Sequence, residues 1–379
     1  MSRITDVEIY KFMPQKQKTS DKWKSVYTAR PISKYPEFDS KEQRMLSAGA
    51  TVVKITTEDG LYGYGATGTG LYRGAAEIMS DAMRPFLLDD CDADEIEKIW
   101  DLNYKATVAI GRKGLPIHAL SAIDIALWDI KGKKLGLPVY QLLGGKVRDK
   151  IKVYATGPDL EMYKKLGYKA NKIPIPCGPV HGREGMKKNL EAVERVVRVM
   201  GENTEIMLDC WMGWDFEYTV KMARMLKDYN IRWIEEPLVS TDYDGFKRLK
   251  YILNSMGILL TTGEHEFTRW GARELVENGC VDILQCDIMY CGGLSEIKKI
   301  AAYCKAHNVM LVPHSHGMPV FHFSISSLVS PFAETLMNRI ENPLFFGVPG
   351  IKDGYVEMPE GITGLGYELN TGFSEYRMV

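Results

Sequence analysis

From Lys152 onward the chain repeats one unit, a short apolar strand followed by an amphipathic helix. The strands read KVYAT, ANKIPI, EIMLD, IRWIEE, ILLTTGE, DILQCD, VMLVPH and ETLMNRI. Between them, LEAVERVVRVM places Leu190, Val193, Val197 and Met200 on one helical face, and LSEIKKIAAYC does the same with Leu294, Ile297, Ala301 and Cys304. Strands that alternate with helices pair in parallel, because each helix returns the chain to the same edge of the sheet. About eight such units predict a closed β/α barrel rather than an open doubly wound sheet.

The residues before this repeat have another character. TDVEIYKF alternates like a strand, and ATVVKITTEDGLYGYGAT reads as two strands joined at Asp59-Gly60, a hairpin turn. Helical stretches follow around AAEIMSDAMRPFL and DADEIEKIWDLNYKA, and then HALSAIDIALWDIKGKKLG, which Gly136 and Pro138 end. The expected organisation is an α+β domain over residues 1–125 and the barrel over 126–344. With 379 residues, the chain is long enough for two such cores.

Composition excludes several partners. A formal net charge of −1 with no basic stripe argues against nucleic acid, and no apolar run approaches a membrane span. The N-terminus MSRITDVEIYKF has no apolar signal-peptide core. Seven cysteines, irregularly spaced and without a CxxC pair, fit buried reduced thiols and a cytoplasmic protein.

The polar residues carry the function. Strands three to seven end at Asp209, Glu235, Glu264, Asp287 and His314, and Glu334 stands at the eighth. Their spacing, 20 to 29 residues, is about one βα unit each. In a barrel the carboxyl ends of the strands form one rim, where active sites sit. One carboxylate at a strand end commonly caps the next helix, but five carboxylates and a histidine exceed what capping explains. Adjacent strand residues face opposite sides, so only one of Glu235 and Glu236 can face the axis. The other should point to the surrounding helices or a lysine. Three carboxylates converging on the axis need a cation, and an all-oxygen set suits Mg2+ first.

These residues and their order resemble the enolase superfamily, mandelate racemase subgroup. The stretches YATGPDL, LDCWM, TTGEHEFTRWG, CGGLSEI and VPHSHG are most similar to acid-sugar dehydratases of the L-rhamnonate type. The resemblance implies an N-terminal α+β capping domain, completed by a C-terminal tail from about residue 345 to 379. Beneath it would lie a modified TIM barrel of seven βα units plus a final strand. It implies that Asp209, Glu235 and Glu264 hold Mg2+, that His314 is the base, and that Asp287 orients it. Glu334 would hydrogen-bond the substrate carboxylate, with Lys172 and His265 as further substrate contacts. The implied activity is that of a hydro-lyase acting on an aldonate: α-proton abstraction to a metal-stabilised enediolate, then loss of the β-hydroxyl to give a 2-keto-3-deoxy acid. The enolase superfamily is named among known cases that use a Lys or His base with Mg2+. The resemblance also implies a symmetric homo-oligomer.

One departure bears on mechanism. The subgroup often carries Lys-x-Lys on the second barrel strand, and here Lys172 is followed by Pro174. Proline cannot move a proton, so a two-base racemase is disfavoured. The alternatives are a cycloisomerase or epimerase of a sugar acid, a barrel glycosidase using paired carboxylates, or a barrel that only binds. In the cap, residues 20–45 form a long polar stretch expected to act as a lid, with Tyr27, Arg30, Lys34 and Arg44 facing substrate. His316 is a weaker rival for the base, and His118, His181, His307 and His322 are expected to be packing or surface residues.

Overall fold

The computed structural model describes residues 2–12, 28–38, 50–68, 73–336, 343–372 and 376–378. Arg44 and Tyr27, expected at the lid, lie outside the described residues. Strands β1 (Ile4–Phe12), β2 (Ala50–Thr57) and β3 (Tyr62–Ala66) form an antiparallel sheet, with β2 and β3 joined across Asp59-Gly60. Gly60 sits at φ 79°, which explains glycine at that turn. Helix α1 (Ile96–Thr107) packs against α2 (Leu115–Leu135), and α2 packs against this sheet. Contact between α2 and β3 is backbone to backbone: a Cβ on Gly65 would lie 1.8 Å from the Ala122 carbonyl oxygen. The glycines of YGYGA are therefore required by the close approach of the helix.

The barrel strands are β4 (Ile151–Thr156), β5 (Ala170–Pro174), β6 (Glu205–Asp209), β7 (Ile231–Glu235), β8 (Leu259–Thr262), β9 (Ile283–Leu284), β10 (Met310–Leu311) and β11 (Phe332–Leu336). They pair in parallel in chain order from β4 to β10, and β11 returns to pair with β4. Seven helices lie between them: α3 (Leu160–Lys165), α4 (Gly182–Met200), α5 (Phe216–Leu226), α6 (Tyr243–Asn254), α7 (Thr268–Glu277), α8 (Gly293–Ala306) and α9 (Met318–Ser326). This is the expected barrel of seven βα units plus a final strand.

Inside it, Tyr154, Ala170, Met207, Trp233, Ile283, Val312 and Phe332 make an apolar plug. The alternation of each strand then places Lys172, Asp209, Glu235 and Glu334 one layer higher.

Two details differ from the sequence reading. The expected boundary at 125/126 falls inside α2, which runs unbroken to Gly136 in a left-handed C-cap. That helix is buried almost all round, between the cap sheet and the barrel, so it belongs to both. The tail also serves both: β12 (Phe345–Phe346) and β14 (Glu368–Leu369) pair with each other, β13 (Tyr355–Val356) pairs with β4, and β15 (Tyr376–Met378) pairs with β1. Among the described residues no helix is long and apolar enough to cross a membrane.

Candidate active site

At the carboxyl ends of the strands, Asp209 is the last residue of β6 and pairs in register with Glu235, the last of β7. Glu264 lies two residues beyond β8, while Asp287 and His314 each lie three beyond β9 and β10. Glu334 is the third residue of β11, within the strand rather than at its opening.

Lys172 occupies the centre. Its fully buried ammonium lies 2.6 Å from Glu235 Oε1, 3.0 Å from Glu334 Oε1 and 3.6 Å from Asp209 Oδ2. Burial alone would push its pKa down, but Glu235, Glu334 and Asp209 more than reverse that and hold it charged. Glu334 has both oxygens occupied. Oε1 accepts from Lys172 and the Thr156 hydroxyl, and Oε2 accepts from the Ser315 N–H at 2.7 Å. Burial would raise this carboxyl, but Lys172, His314 and these donors hold it down at about 2. The expected substrate contact of Glu334 thus competes with partners it already has.

Glu235 and Glu236 do part company, though not as the strand rule suggested. Glu235 faces the axis, between Lys172 and the Trp233 indole N–H at 3.0 Å. The expected lysine partner therefore sits on the axial glutamate. Glu236 has φ +43°, so strand alternation stops there. Its side chain stays on the rim, accepting from the Thr262 hydroxyl at 3.1 Å and lying 2.8 Å from His265 Nδ1. Four of the eight non-glycine residues at positive φ among those described, Trp211, Met212, Glu236 and Ser315, lie in rim loops, where strain is commonly stored at functional sites.

His314 carries the Asp287 carboxylate on Nδ1 at 2.8 Å and points Nε2 at Glu264 Oε2, 3.6 Å away. Burial opposes its protonation, but Glu264, Glu334 and Asp287 push its pKa up to about 10. His316 is not on the same face, because β10 has ended and Ser315 turns at φ +86°; its ring packs edge-on against Phe321. His265, raised to about 9 by Glu236 and Glu264 against the effect of burial, packs its ring on Trp211. The cap reaches the rim at residues 28–30. The Ala29 N–H donates to the Ile175 carbonyl at 2.9 Å, and Gly213 has no room for a Cβ beside Ala29. Arg30 is buried there and Lys34 is exposed.

Six rim carboxylates, Asp209, Glu235, Glu236, Glu264, Asp287 and Glu334, thus face one lysine and two imidazoles. Burial raises Asp209 to about 6 and Glu264 to about 7, with neighbouring carboxylates adding to the shift and the cationic residues opposing it. Glu264 Oε2 is buried and accepts no hydrogen bond among the described residues. Such an excess of buried negative charge, on hard oxygen donors, fits a divalent cation such as Mg2+. Among the described residues, Glu236, Glu264 and His265 form a cluster of possible ligand atoms, all within 4.8 Å of one another. Glu236, however, is held below the usual carboxylate range by His265 and Thr262 despite burial, so its charge is already met. The carboxyls pushed up by burial and by neighbouring carboxylates are instead Asp209, Glu235 and Glu264, with the single Lys172 shared among Asp209, Glu235 and Glu334.

Comparison with known proteins agrees with this architecture. Residues 36–144 match the mandelate racemase / muconate lactonizing enzyme N-terminal domain, and residues 159–372 match the enolase C-terminal domain-like family. The chain belongs to the enolase superfamily. It is 38% identical over 360 residues to an L-rhamnonate dehydratase of Saccharopolyspora erythraea, covering 92% of this chain and 91% of that protein. The solved L-rhamnonate dehydratase of Gibberella zeae, also known complexed with Mg, superposes with a TM-score of 0.89 at 32% identity over 98% of this chain and 95% of that one. The 3,6-anhydro-D-galactonate cycloisomerase of Zobellia galactanivorans gives 0.79 at 29% identity, over 98% of each chain. The family, a hydro-lyase activity and Mg2+ as cofactor agree with the sequence expectations.

Proposed function

We propose that this enzyme dehydrates an acid sugar, an aldonate resembling L-rhamnonate, to a 2-keto-3-deoxy acid. The observation that carries the reading is the His314–Asp287 pair, aimed across the rim at Glu264 with no second base on the opposite strand. Asp209, Glu235 and Glu264 would hold Mg2+. When bound, Mg2+ supplies positive charge against the substrate carboxylate as the α-proton leaves.

Everything else falls to the chain's own residues. His314 Nε2 takes the α-proton, while Asp287 fixes the tautomer through Nδ1 and steadies the imidazolium. Glu264 is the strongest of the charges that raise His314, so a Glu264 engaged by a cation frees the imidazole to act as a base. Lys172 keeps positive charge beneath the carboxylates and is no base, because three carboxylates hold its proton. At the position of a second lysine stands Pro174, followed by Ile175, whose carbonyl binds the cap at Ala29. A single histidine must then remove the proton and protonate the departing hydroxyl, which requires both to leave from one face. His265, on the rim beside Glu264, is placed to meet a substrate hydroxyl. All seven cysteines are buried free thiols, in keeping with a cytoplasmic enzyme. The symmetric oligomer implied by the family is part of the same reading.

A panel of mono- and diacid sugars with Mg2+, read by 2-keto acid formation, tests it. Turnover should vanish with EDTA, and His314→Asn should lose roughly 10²–10⁴-fold while still binding substrate. Turnover that survives EDTA, anti elimination as the only course, or a His314→Asn enzyme exchanging the α-proton at the wild-type rate would each overturn it. The Zobellia likeness supports a second reading, cycloisomerisation, which begins with the same proton abstraction. A product without net loss of water would favour that reading.

A further inference from the structure

Glu264 and His265 are the two central residues of a tight turn, and the side chain that closes this turn is clamped from the cap. The Glu266 N–H donates to the Gly263 carbonyl at 3.0 Å. The leading end of the turn lies against the backbone after β9: Gly263 has φ +132°, and a Cβ there would lie 3.0 Å from the Gln285 nitrogen. The trailing end is held through the Glu266 carboxylate, which is buried and has donors on both oxygens. Oε1 accepts from the Phe267 N–H at 2.9 Å and from Lys113 at 2.6 Å. Oε2 accepts from Lys113 at 2.8 Å and from the Tyr243 hydroxyl at 2.9 Å. Lys113 belongs to the cap, on the connection between α1 and α2, and Tyr243 opens α6. A Cβ on Gly271 of α7 would overlap Glu266 Oε1, so glycine there makes room for the carboxylate. Phe267 packs with Ile117 of α2 and with Tyr290. Stability alone does not ask for this arrangement, since a well-packed apolar residue is often as good as a buried ion pair. What the carboxylate adds is direction: its donors come from the cap, from α6 and from the chain just beyond the turn, and together they fix the backbone from which Glu264 projects.

We propose that Glu266 is a positioning residue for the Mg2+ ligand Glu264, and that Lys113 gives the cap its hold on the turn that carries this ligand. The inference rests on Glu264 as a ligand. It makes the cap part of the metal site's support, because Lys113 reaches the barrel two residues from the ligand itself. Outer partners of ligating carboxylates typically contribute about 10–100-fold in metal affinity.

The test is calorimetric titration of the full-length protein with Mg2+, which needs no substrate and so does not depend on the substrate class. Glu266→Gln keeps the size of the side chain but loses its charge, and should raise the Mg2+ Kd ~10–100-fold. Lys113→Met should raise it in the same direction, and Lys113→Arg should recover most of that loss. The Lys113 side chain is half exposed, so Lys113→Met should leave the melting midpoint in EDTA nearly unchanged, which separates positioning from general stability. In a Glu266→Gln background, Lys113→Met should cost little further Mg2+ affinity, since the group it acts through is altered. Glu264→Gln is the control for the ligand assignment. If it weakens Mg2+ binding while Glu266→Gln does not, the positioning role is overturned and the ligand stands. If Glu264→Gln binds Mg2+ as the wild type does, the ligand assignment falls and this inference with it. An equal cost of Lys113→Met in both backgrounds, or wild-type Mg2+ affinity in Lys113→Met, would overturn the cap's part.

Discussion

Two adjacent glutamates with different charge environments decide how the rim can be tested. Glu235 shares the buried Lys172 with Asp209 and Glu334, while Glu236 is paired with His265. Glu235→Gln should therefore weaken Mg2+ binding by more than the roughly 10–100-fold typical of an outer partner, and Glu236→Gln should stay within that range. Calorimetric titration with Mg2+ decides it, and the reverse order would hand the ligand role to Glu236. Lys172 permits a second prediction. Removing one partner of a buried ion pair typically costs 3–5 kcal/mol, because the other charge is left uncompensated. Lys172→Met should lose about that much stability in urea with EDTA present, and less with Mg2+. An equal loss in both conditions would mean that the metal does not share this charge. At this scale, the spacing of Asp209, Glu235, Glu264, Asp287 and His314 made the rim legible in the sequence. The pairing of Lys172 with Glu235 was not, because alternation alone left open which of Glu235 and Glu236 faces the axis.

Helices in this chain do more than cover the barrel, and α9 shows it. His322 Nδ1 accepts the Tyr140 N–H at 2.9 Å, and its other ring nitrogen donates to the Leu365 carbonyl at 3.1 Å. The ring thus ties α9 to the short turn after α2 and to the tail. Burial depresses its pKa from the ordinary 6.5 to about 4, so the folded state disfavours the proton. The stabilisation is fully present above about pH 6.5 and is lost as pH falls toward 4, by roughly 3 kcal/mol. His322→Gln, which cannot take up a proton, should flatten this acid slope in a plot of melting midpoint against pH; an unchanged slope would assign the acid sensitivity to other groups. Element positions were legible because strand and helix periods differ and because glycine and proline mark the ends, as at Gly136 and Pro138. What the sequence could not give was the double allegiance of α2. A helix apolar on all sides shows that it is buried but not between what, and a domain boundary drawn at residue 125 cut through it.

The whole molecule should consequently unfold as one unit, although two family domains are recognisable in it. Asp129 on α2 shows how the parts are joined. One carboxylate oxygen accepts from the Leu365 N–H of the tail at 2.8 Å, and the other accepts from the Tyr64 N–H of the cap sheet at 3.2 Å and from Lys133 at 2.8 Å. Nearby, the Val139 N–H donates to the Gly364 carbonyl at 2.9 Å, and the Tyr367 hydroxyl donates to the Tyr64 carbonyl at 2.7 Å. The cap cannot melt without exposing the barrel-facing side of α2, and the barrel cannot melt without releasing the tail that edges the cap sheet. Calorimetry should then show a single transition in which calorimetric and van't Hoff enthalpies agree. Asp129→Ala leaves two buried backbone donors unmet, each costing about 1–3 kcal/mol. It should lower the midpoint without dividing the transition, since both halves lose the same support. Two resolved transitions in the wild type, or a low-temperature shoulder appearing only in Asp129→Ala, would show that cap and barrel fold as separate units and that α2 merely lies between them.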